Sequence, residues 1–265
     1  MAAGKAFLVD VGIQGLPFPI KVLSKRSPDG HPTIGTFAVR ARIMRTFEAR
    51  WIDRFIQAVH AHRDQLGMMQ IRENIKDYID ALQTNSVRIE ISYPYFVEKI
   101  TPVSKEPCLV KYNCRFTGQY PSLDGEVKLT YAIECPVITT YPLVGANGKD
   151  KRYFPQLSIL SIELDSAENI YTEDIVELAD AHSLSPIYSF LSEEDQQYLI
   201  ERTQTRVQMS VDTTDEVRQE LAKNPAVSWF SVHCSNLGML HNYSTIISTE
   251  KSLWVPGSYY ETDAP

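Results

Sequence analysis

Cys135-Pro136-Val137-Ile138-Thr139-Thr140-Tyr141-Pro142-Leu143-Val144-Gly145 runs directly into Ala146-Asn147-Gly148-Lys149-Asp150-Lys151-Arg152-Tyr153-Phe154-Pro155-Gln156-Leu157-Ser158. This stretch completes one apolar segment, passes through a polar loop with two glycines, and enters a second apolar segment. Glycines and charged residues between two apolar runs are typical of a loop that joins strands. The two halves of the chain, arranged around this stretch, repeat one order of predicted elements.

The first half combines two kinds of periodicity. Alternating apolar residues and prolines predict extended backbone, and apolar residues spaced by three or four predict helices. We predict strands at 17–23 and 33–44, helices at 47–64 and 71–82, and strands at 87–96 and 110–116.

The second half has the same order. We predict strands at 127–133 and 158–164, helical segments starting at Thr172, at Ser192 and after Thr213, and strands at 226–234 and 239–248. Thr172 is a predicted N-cap, and the spacing from Thr213 to Glu216 is that of a capping box. A turn at residues 235–238 would pair Cys234 with Met239 and Val232 with His241.

This repeated order predicts the α+β class, with two units that each combine a four-stranded antiparallel sheet and a helix pair. The first unit covers about residues 15–120, the second about 121–252, and residues 253–265 form a C-terminal arm. We interpret the chain as one duplicated domain.

Composition limits the possible partners and the cellular compartment. The formal net charge of −7 gives no basic surface that would favour nucleic acid or an anionic membrane, although a local basic cleft remains compatible with it. The apolar run at residues 6–9 is too short for a signal peptide or a membrane span. The four cysteines form no paired motif, which favours reduced thiols in the cytoplasm.

Several segments, taken together in their order and spacing, resemble the type IB GTP cyclohydrolases. They are residues 93–99 (Tyr-Pro-Tyr-Phe-Val-Glu-Lys), 102–104 (Pro-Val-Ser), Arg54-Phe55, residues 173–178, Trp229-Phe230 and His241-Asn242. The resemblance implies the bimodular tunnelling fold, assembly into a homotetramer, and sites at subunit interfaces. It also implies a small-molecule partner, either a purine- or pterin-like heterocycle or its nucleotide.

The resemblance fails at the metal-binding residues of that family. The family has Cys-Pro-Cys-Ser-Lys and then a histidine, where this chain has Tyr141, Leu143 and Phe154. Leucine and phenylalanine have no donor atom, and a phenol with a pKa of about 10 is a poor neutral ligand. We therefore predict that the chain has no such metal site and no other cofactor.

Three family glutamates also align with other residues, and the one that lies three residues ahead of the histidine matched by His241 becomes Gly238. The third metal-ligand position falls near Gln196, although a slip of one or two residues would bring Glu194 or Glu193 there. The glutamate that the family uses to anchor the purine ring falls near Val211.

The predicted site combines positions at which this chain keeps the family's residue with two positions, Tyr141 and Phe154, at which it does not. His241 is the predicted catalytic acid–base group, because an imidazole titrates near neutral pH. The predicted ligand-binding residues are Lys99, Tyr141, Phe154, Gln156, Asn236 and Asn242. Lys149, Lys151 and Arg152 make the loop basic, and could contact phosphate or only solvent.

Three hypotheses follow for the function. The first is a divergent cyclohydrolase-like protein that binds a heterocycle and has altered, metal-independent chemistry. The second is an active GTP cyclohydrolase whose metal has moved to Cys234, His241 and a carboxylate such as Glu194. The third is a non-catalytic scaffold or regulatory homologue.

Overall fold

The computed structural model describes residues 8–44, 51–84, 86–120, 126–144, 151–237 and 244–251. The first half contains β1 (Leu8–Val22), β2 (His31–Met44), α1 (Trp51–His62), α2 (Met68–Leu82), β3 (Val87–Ile100) and β4 (Pro107–Tyr120). The second half contains β5 (Lys128–Val144), β6 (Lys151–Ser166), α3 (Thr172–Ala181), β7 (Ser185–Pro186), α4 (Glu193–Thr205), α5 (Ser210–Lys223), β8 (Val227–Leu237) and β9 (Ser244–Glu250).

The strands follow one another in the sheet in the order β1-β2-β3-β4-β5-β6-β8-β9, and the two-residue β7 pairs with β5. The registers of the β1–β2, β2–β3, β6–β8 and β8–β9 pairs are antiparallel. Each half begins and ends with a pair of long strands and has its helices between them. The predicted α+β class and the repeated order of elements are therefore confirmed.

The chain also divides into two compact units, each assembled from separate segments. Among the described residues, the first unit takes in those of Met1–Val97, Lys111–Ile133 and Ala167–Ile175, and the remainder form the second. The predicted boundary between residues 120 and 121 is one between two repeats of the order of elements. It stays a prediction.

In the first unit, the helices cover the apolar face of the strands. Side chains along β3 alternate between buried and more exposed positions, as a half-buried strand requires. Ile75 and Tyr78 of α2 line one small cavity together with Ile89 and Ile91 of β3. The residues whose spacing predicts the apolar stripe of α2 are all buried: Ile71, Ile75, Tyr78, Ile79 and Leu82. The spacing in α1 predicts one apolar face with Ile52, Phe55, Ile56 and Val59. Phe55 and Val59 are buried, but Ile52 is 42% exposed.

A β-bulge lengthens the first strand beyond its predicted bounds. The β1–β2 register shifts between Ile13 and Leu16, and Gly15 lies there with a φ of 75°. Glycine adopts such a backbone without a steric penalty. The bulge lets one strand continue through a stretch that lacks simple alternation.

In the second unit, Asp195 joins the first turn of α4 to the Pro102-Val103-Ser104 segment. Its carboxylate accepts hydrogen bonds from the backbone N–H groups of Val103 and Ser104 at 2.7 and 3.0 Å, and from the Ser104 hydroxyl at 2.6 Å. Ser192 and Asp195 form the capping box of α4. Burial alone would raise the pKa of Asp195, but these hydrogen bonds lower it below its usual value.

Three local predictions from the sequence are wrong. Helix α5 begins at Ser210 instead of after Thr213, and Thr213 and Thr214 are buried inside it. Thr172 is the first residue of α3 and not its N-cap, because the backbone carbonyl of Tyr171 accepts from the N–H of Asp174 and of Ile175. The last hairpin pairs Cys234 with Ile247 and Val232 with Thr249, so the predicted register and turn are both wrong.

Within the described residues, no helix is long and apolar enough to cross a membrane.

Candidate functional site

A cavity of about 450 Å³ lies in the second unit, at the ends of β5, β6 and β8. Its wall includes Tyr141, Gln156, Met209, Val211, Asn236 and Thr245. This volume suits a small molecule, and a mostly apolar wall with a few amides and hydroxyls is typical of such sites. Three predicted ligand-binding residues, Tyr141, Gln156 and Asn236, therefore meet at one cavity.

The start of α5 is held against this cavity by β5. The backbone N–H of Thr140 donates to the carbonyl of Gln208 at 2.7 Å, and the N–H of Gln208 donates to the Thr140 hydroxyl at 3.1 Å. These bonds place Met209, Ser210 and Val211 at the wall. Met209 and Ser210 were not predicted at the site, because the predicted helix begins four residues after the observed start of α5.

Buried polar side chains form a hydrogen-bonded chain behind the wall. Gln156 Nε2 lies 3.1 Å from Thr139 Oγ1, which lies 2.7 Å from Ser158 Oγ. Ser158 Oγ lies 2.8 Å from Asn236 Oδ1, and Asn236 Nδ2 reaches the hydroxyls of Ser210 at 3.1 Å and Thr245 at 3.2 Å. The alternation of β5 and β6 places Thr139, Gln156 and Ser158 on a common face.

Each hydroxyl has a single proton, and this fixes the direction of the chain. Ser158 donates its proton to Asn236, so it accepts from Thr139. Thr139 has then used its own proton and accepts from the amide of Gln156. The chain thus runs from Gln156 to Asn236 and holds both amides in place.

Cys234 lies behind Asn236 as a protonated thiol. Its side chain is fully buried, and its sulfur lies 3.5 Å from Asn236 Oδ1. Burial raises the pKa of Cys234 to about 11, so the thiolate that a metal requires is disfavoured near neutral pH. The structure gives this residue a packing role.

The two aromatic residues of the altered loop approach each other without filling the cavity. The ring centroids of Tyr141 and Phe154 are 6.3 Å apart, with the planes inclined by 42°. Tyr141 lines the cavity, whereas Phe154 does not and is 38% exposed. Tyr141 is therefore the ring that a planar ligand in the cavity would meet.

The described residues include no group of three histidine, cysteine, aspartate or glutamate side chains that could hold a metal ion. Glu193 and Glu194 are exposed in the first turn of α4. Gln196 is also exposed, and its amide donates to the Leu191 carbonyl. The amides, hydroxyls and thioether at the cavity do not match the thiolate and imidazole set that zinc prefers.

Lys99 lies outside the cavity and takes part in an ion pair. Its ammonium is 2.6 Å from Asp180 Oδ2, and the Lys99 side chain is only 8% exposed. Burial raises the pKa of Asp180, and the charge of Lys99 opposes that rise. The predicted ligand contact of Lys99 stays a prediction, and its observed contact stabilises α3 against β3.

The structure does not describe the side chains of the remaining predicted positions. His241, Asn242 and Lys149 are outside the described residues, as are the side chains of Leu143, Lys151 and Arg152. The predicted roles of His241, Asn242 and the basic loop stay predictions.

The amino-acid sequence matches a family model described as type I GTP cyclohydrolase folE2 over residues 3–246. The chain belongs to this family. The expected resemblance to a type I GTP cyclohydrolase is confirmed at that level, and the FolE2 family replaces the narrower designation of type IB.

Curated relatives match along almost the whole chain. GTP cyclohydrolase FolE2 of Geotalea uraniireducens is 26% identical over 258 residues, which are 96% of this chain and 92% of the relative. GTP cyclohydrolase FolE2 of Geobacter metallireducens is 28% identical over 243 residues, which are 91% of this chain and 90% of the relative.

Solved structures of urate oxidases share the fold. A hyperthermostable mutant of Bacillus sp. TB-90 urate oxidase superposes with a TM-score of 0.53 at 9% identity, over 92% of this chain and 95% of that chain. A uricase from Bacillus fastidious gives a TM-score of 0.52 at 9% identity, over 94% of both chains. This likeness is one of fold alone, and it agrees with the predicted bimodular tunnelling fold.

Proposed function

We propose that this FolE2 family member binds a purine- or pterin-like heterocycle, free or as a nucleotide, in the cavity of the second unit. We also propose that it does not use the family's metal-dependent hydrolysis. The observation that carries the proposal is the convergence of Gln156, Asn236 and Tyr141 on one cavity of about 450 Å³. Amides can donate to and accept from the edge of a heterocycle, and an aromatic ring can stack on its face.

The wall of the cavity supports altered recognition of the ring. Val211, 54% exposed at the start of α5, stands where the resemblance places the glutamate that anchors the purine. A carboxylate would accept two N–H groups from the edge of a guanine, which valine cannot do. We therefore expect guanine to bind this protein with no higher affinity than other planar heterocycles.

The residues at the family's metal-binding positions support binding or a reaction without a metal. Leucine at 143 and phenylalanine at 154 supply no ligand atom, and a tyrosine at 141 supplies only a phenol. His241 is the proposed acid–base group, with Asn242 beside it in sequence. No metal-bound nucleophile enters this proposal.

We further propose a cytoplasmic homo-oligomer, for which a tetramer is the expected size. Among the described residues, β1 and β9 are the outer strands of the sheet, with β1 bridged only at its end to Leu66, and outer strands commonly pair with another strand. Ile246 on β9 is 57% exposed on one of these outer strands. The four cysteines are buried and free, as in proteins of a reducing compartment. Light scattering coupled to size-exclusion chromatography would measure the assembly.

The binding proposal is tested by thermal shift and isothermal titration calorimetry with purines, pterins and their nucleotides, each with and without zinc. We expect a heterocycle to raise the melting temperature in proportion to its concentration, independently of zinc. Gln156→Ala should weaken this binding, whereas Gln197→Ala on the exposed surface of α4 should not. Failure of every heterocycle to bind, or equal binding by both variants, would overturn the proposal.

The relocated-metal hypothesis is a separate candidate with less support. It needs Cys234 and His241 close together, but the register that predicted this pair is wrong and Cys234 faces Ile247. Metal analysis of the purified protein and an assay for the fluorescent pterin formed from GTP decide the question. One zinc per chain together with turnover would restore this hypothesis. A scaffold role would instead be favoured if the protein occurred only in mixed oligomers.

A further inference from the structure

We propose that the first unit contains a binding site for an oligophosphate group, separate from the cavity of the second unit. An open cavity of about 550 Å³ lies over β1, β2 and β3. Its wall includes Arg40, Arg42 and Arg88, with Gly12, Ser86 and Gln119 beside them. Arginine guanidinium groups suit phosphate oxygens because each presents several N–H donors in a planar fork.

The strand register concentrates positive charge at this cavity. Arg40 of β2 and Arg88 of β3 are directly opposite each other, and Arg42 is two residues further along the same face as Arg40. Like charges at directly opposed positions destabilise a sheet. An anion bound between the guanidinium groups would offset their repulsion.

Arg40 is an arginine of this cavity that has no acidic residue directly opposite it on either neighbouring strand. Glu90 is paired with Arg88, with Oε1 2.8 Å from Nε. Arg40 has Gly12 as its partner on β1 and Arg88 as its partner on β3, so neither directly opposed residue is acidic.

The absence of a side chain at Gly12 lets β1 lie close to the backbone of β2 beside Arg40. A Cβ atom at this position would lie 2.5 Å from the carbonyl oxygen of Val39 and 3.4 Å from Cγ of Arg40. A larger residue would therefore displace the β2 backbone beside Arg40. Glycines commonly occur where a ligand or another backbone approaches a strand closely.

Isothermal titration calorimetry with inorganic tripolyphosphate at low salt tests the site. We expect Arg40→Gln and Arg88→Gln each to weaken binding by about tenfold or more, because each removes a charge-assisted contact. Arg63→Gln, which makes the same exchange in the same unit outside this cavity, should bind as the unaltered protein does. Binding should also weaken as salt is added.

A second measurement keeps the test valid if a variant is altered in stability. Without phosphate, Arg40→Gln should melt at the same or a higher temperature, because like-charge repulsion is relieved. With tripolyphosphate, the unaltered protein should be stabilised and Arg40→Gln should not. Absence of tripolyphosphate binding, or an equal loss in Arg63→Gln, would overturn the proposal.

Two further titrations identify the source of the phosphate and separate the two sites. In Gln156→Ala, where binding in the cavity of the second unit is weakened, a nucleoside triphosphate that binds more tightly than tripolyphosphate would identify a nucleotide, and equal affinity would identify the phosphate chain alone. Gln156→Ala should leave tripolyphosphate binding unchanged. Loss of tripolyphosphate binding in Gln156→Ala would contradict a separate site, whatever the outcome of the heterocycle experiments.

Discussion

Ser158 and Asn236 are direct register partners on β6 and β8, and the Ser158 hydroxyl lies 2.8 Å from the Asn236 amide oxygen. Both side chains are buried. The same asparagine donates to Ser210 of α5 and Thr245 of β9, so one amide connects four elements of the second unit. Asn236 is therefore a structural residue as well as part of the cavity wall.

Asn236→Ala should lower the free energy of unfolding by about 1–3 kcal/mol, because it leaves the buried hydroxyls of Ser158 and Ser210 without their amide partner. Urea denaturation monitored by circular dichroism measures the change. Gln197→Ala removes an exposed amide and should have little effect. Equal stability of the two variants would show that the buried chain contributes nothing measurable.

Lys99→Met should also lower the free energy of unfolding at pH 7, by about 1–3 kcal/mol, since Asp180 would lose a charged hydrogen-bond partner. The pKa of Asp180 is already raised by burial and would rise further without Lys99. A carboxyl group with a raised folded-state pKa stabilises the protein at low pH, and this contribution is lost as the pH increases through that pKa.

The stability deficit of Lys99→Met should consequently be small near pH 4 and grow toward pH 7, as measured by urea titrations across this range. Lys223→Met, which removes the exposed partner of Glu220, should cause little change at any pH. A deficit independent of pH would contradict the ion-pair explanation.

Asp195→Asn should destabilise the protein in a pH-dependent manner. Because hydrogen bonds lower the pKa of Asp195, its contribution is complete above the unfolded value of about 4 and is lost as the pH falls through its lower folded-state pKa. The difference in urea midpoint between the two proteins should be largest at neutral pH and decrease in acid. Glu193→Gln, an exposed change in the same helical turn, should show no comparable trend.

Val211→Glu should increase affinity for guanosine by about tenfold, because a carboxylate at the cavity wall can accept two N–H groups from the guanine edge. The substitution lies in the first turn of α5, where a negative charge is favourable to the helix. Val211→Gln is the uncharged control of the same size. Equal guanosine affinity in the two variants, measured by calorimetry, would argue against a heterocycle edge at this position.

The order of helices and strands could be predicted because burial imposes a period on the amino-acid sequence. Ile71, Ile75 and Leu82 recur at helical spacing and are all buried in α2. The last hairpin could not be predicted in this way. Ser235-Asn236-Leu237-Gly238 has the composition of a tight turn, but contacts of Asn236 with Ser158 and Ser210 hold it in a strand.

The site was predictable only where a position could be compared with the family. Gln156 and Asn236 were predicted in this way, and they meet at the cavity. Lys99 was predicted by the same reasoning, but its partner Asp180 is 81 residues away in sequence, and no local pattern indicates that pairing. Arg40 and Arg88 become neighbours only through the register of β2 and β3, which alternation alone does not fix.

The fixed direction of the hydrogen-bonded chain from Gln156 to Asn236 has a consequence for how the proposed ligand would be held. Since one N–H of the Gln156 amide donates to Thr139, the carbonyl oxygen and the second N–H of that amide are the groups available for a heterocycle. A ring that presents an N–H, as a lactam does, can donate to the oxygen, and a ring nitrogen without a proton can accept from the N–H. In the proposed complex, the buried hydroxyls of Thr139 and Ser158 therefore fix which side of the amide accepts and which side donates, although neither hydroxyl touches the ligand.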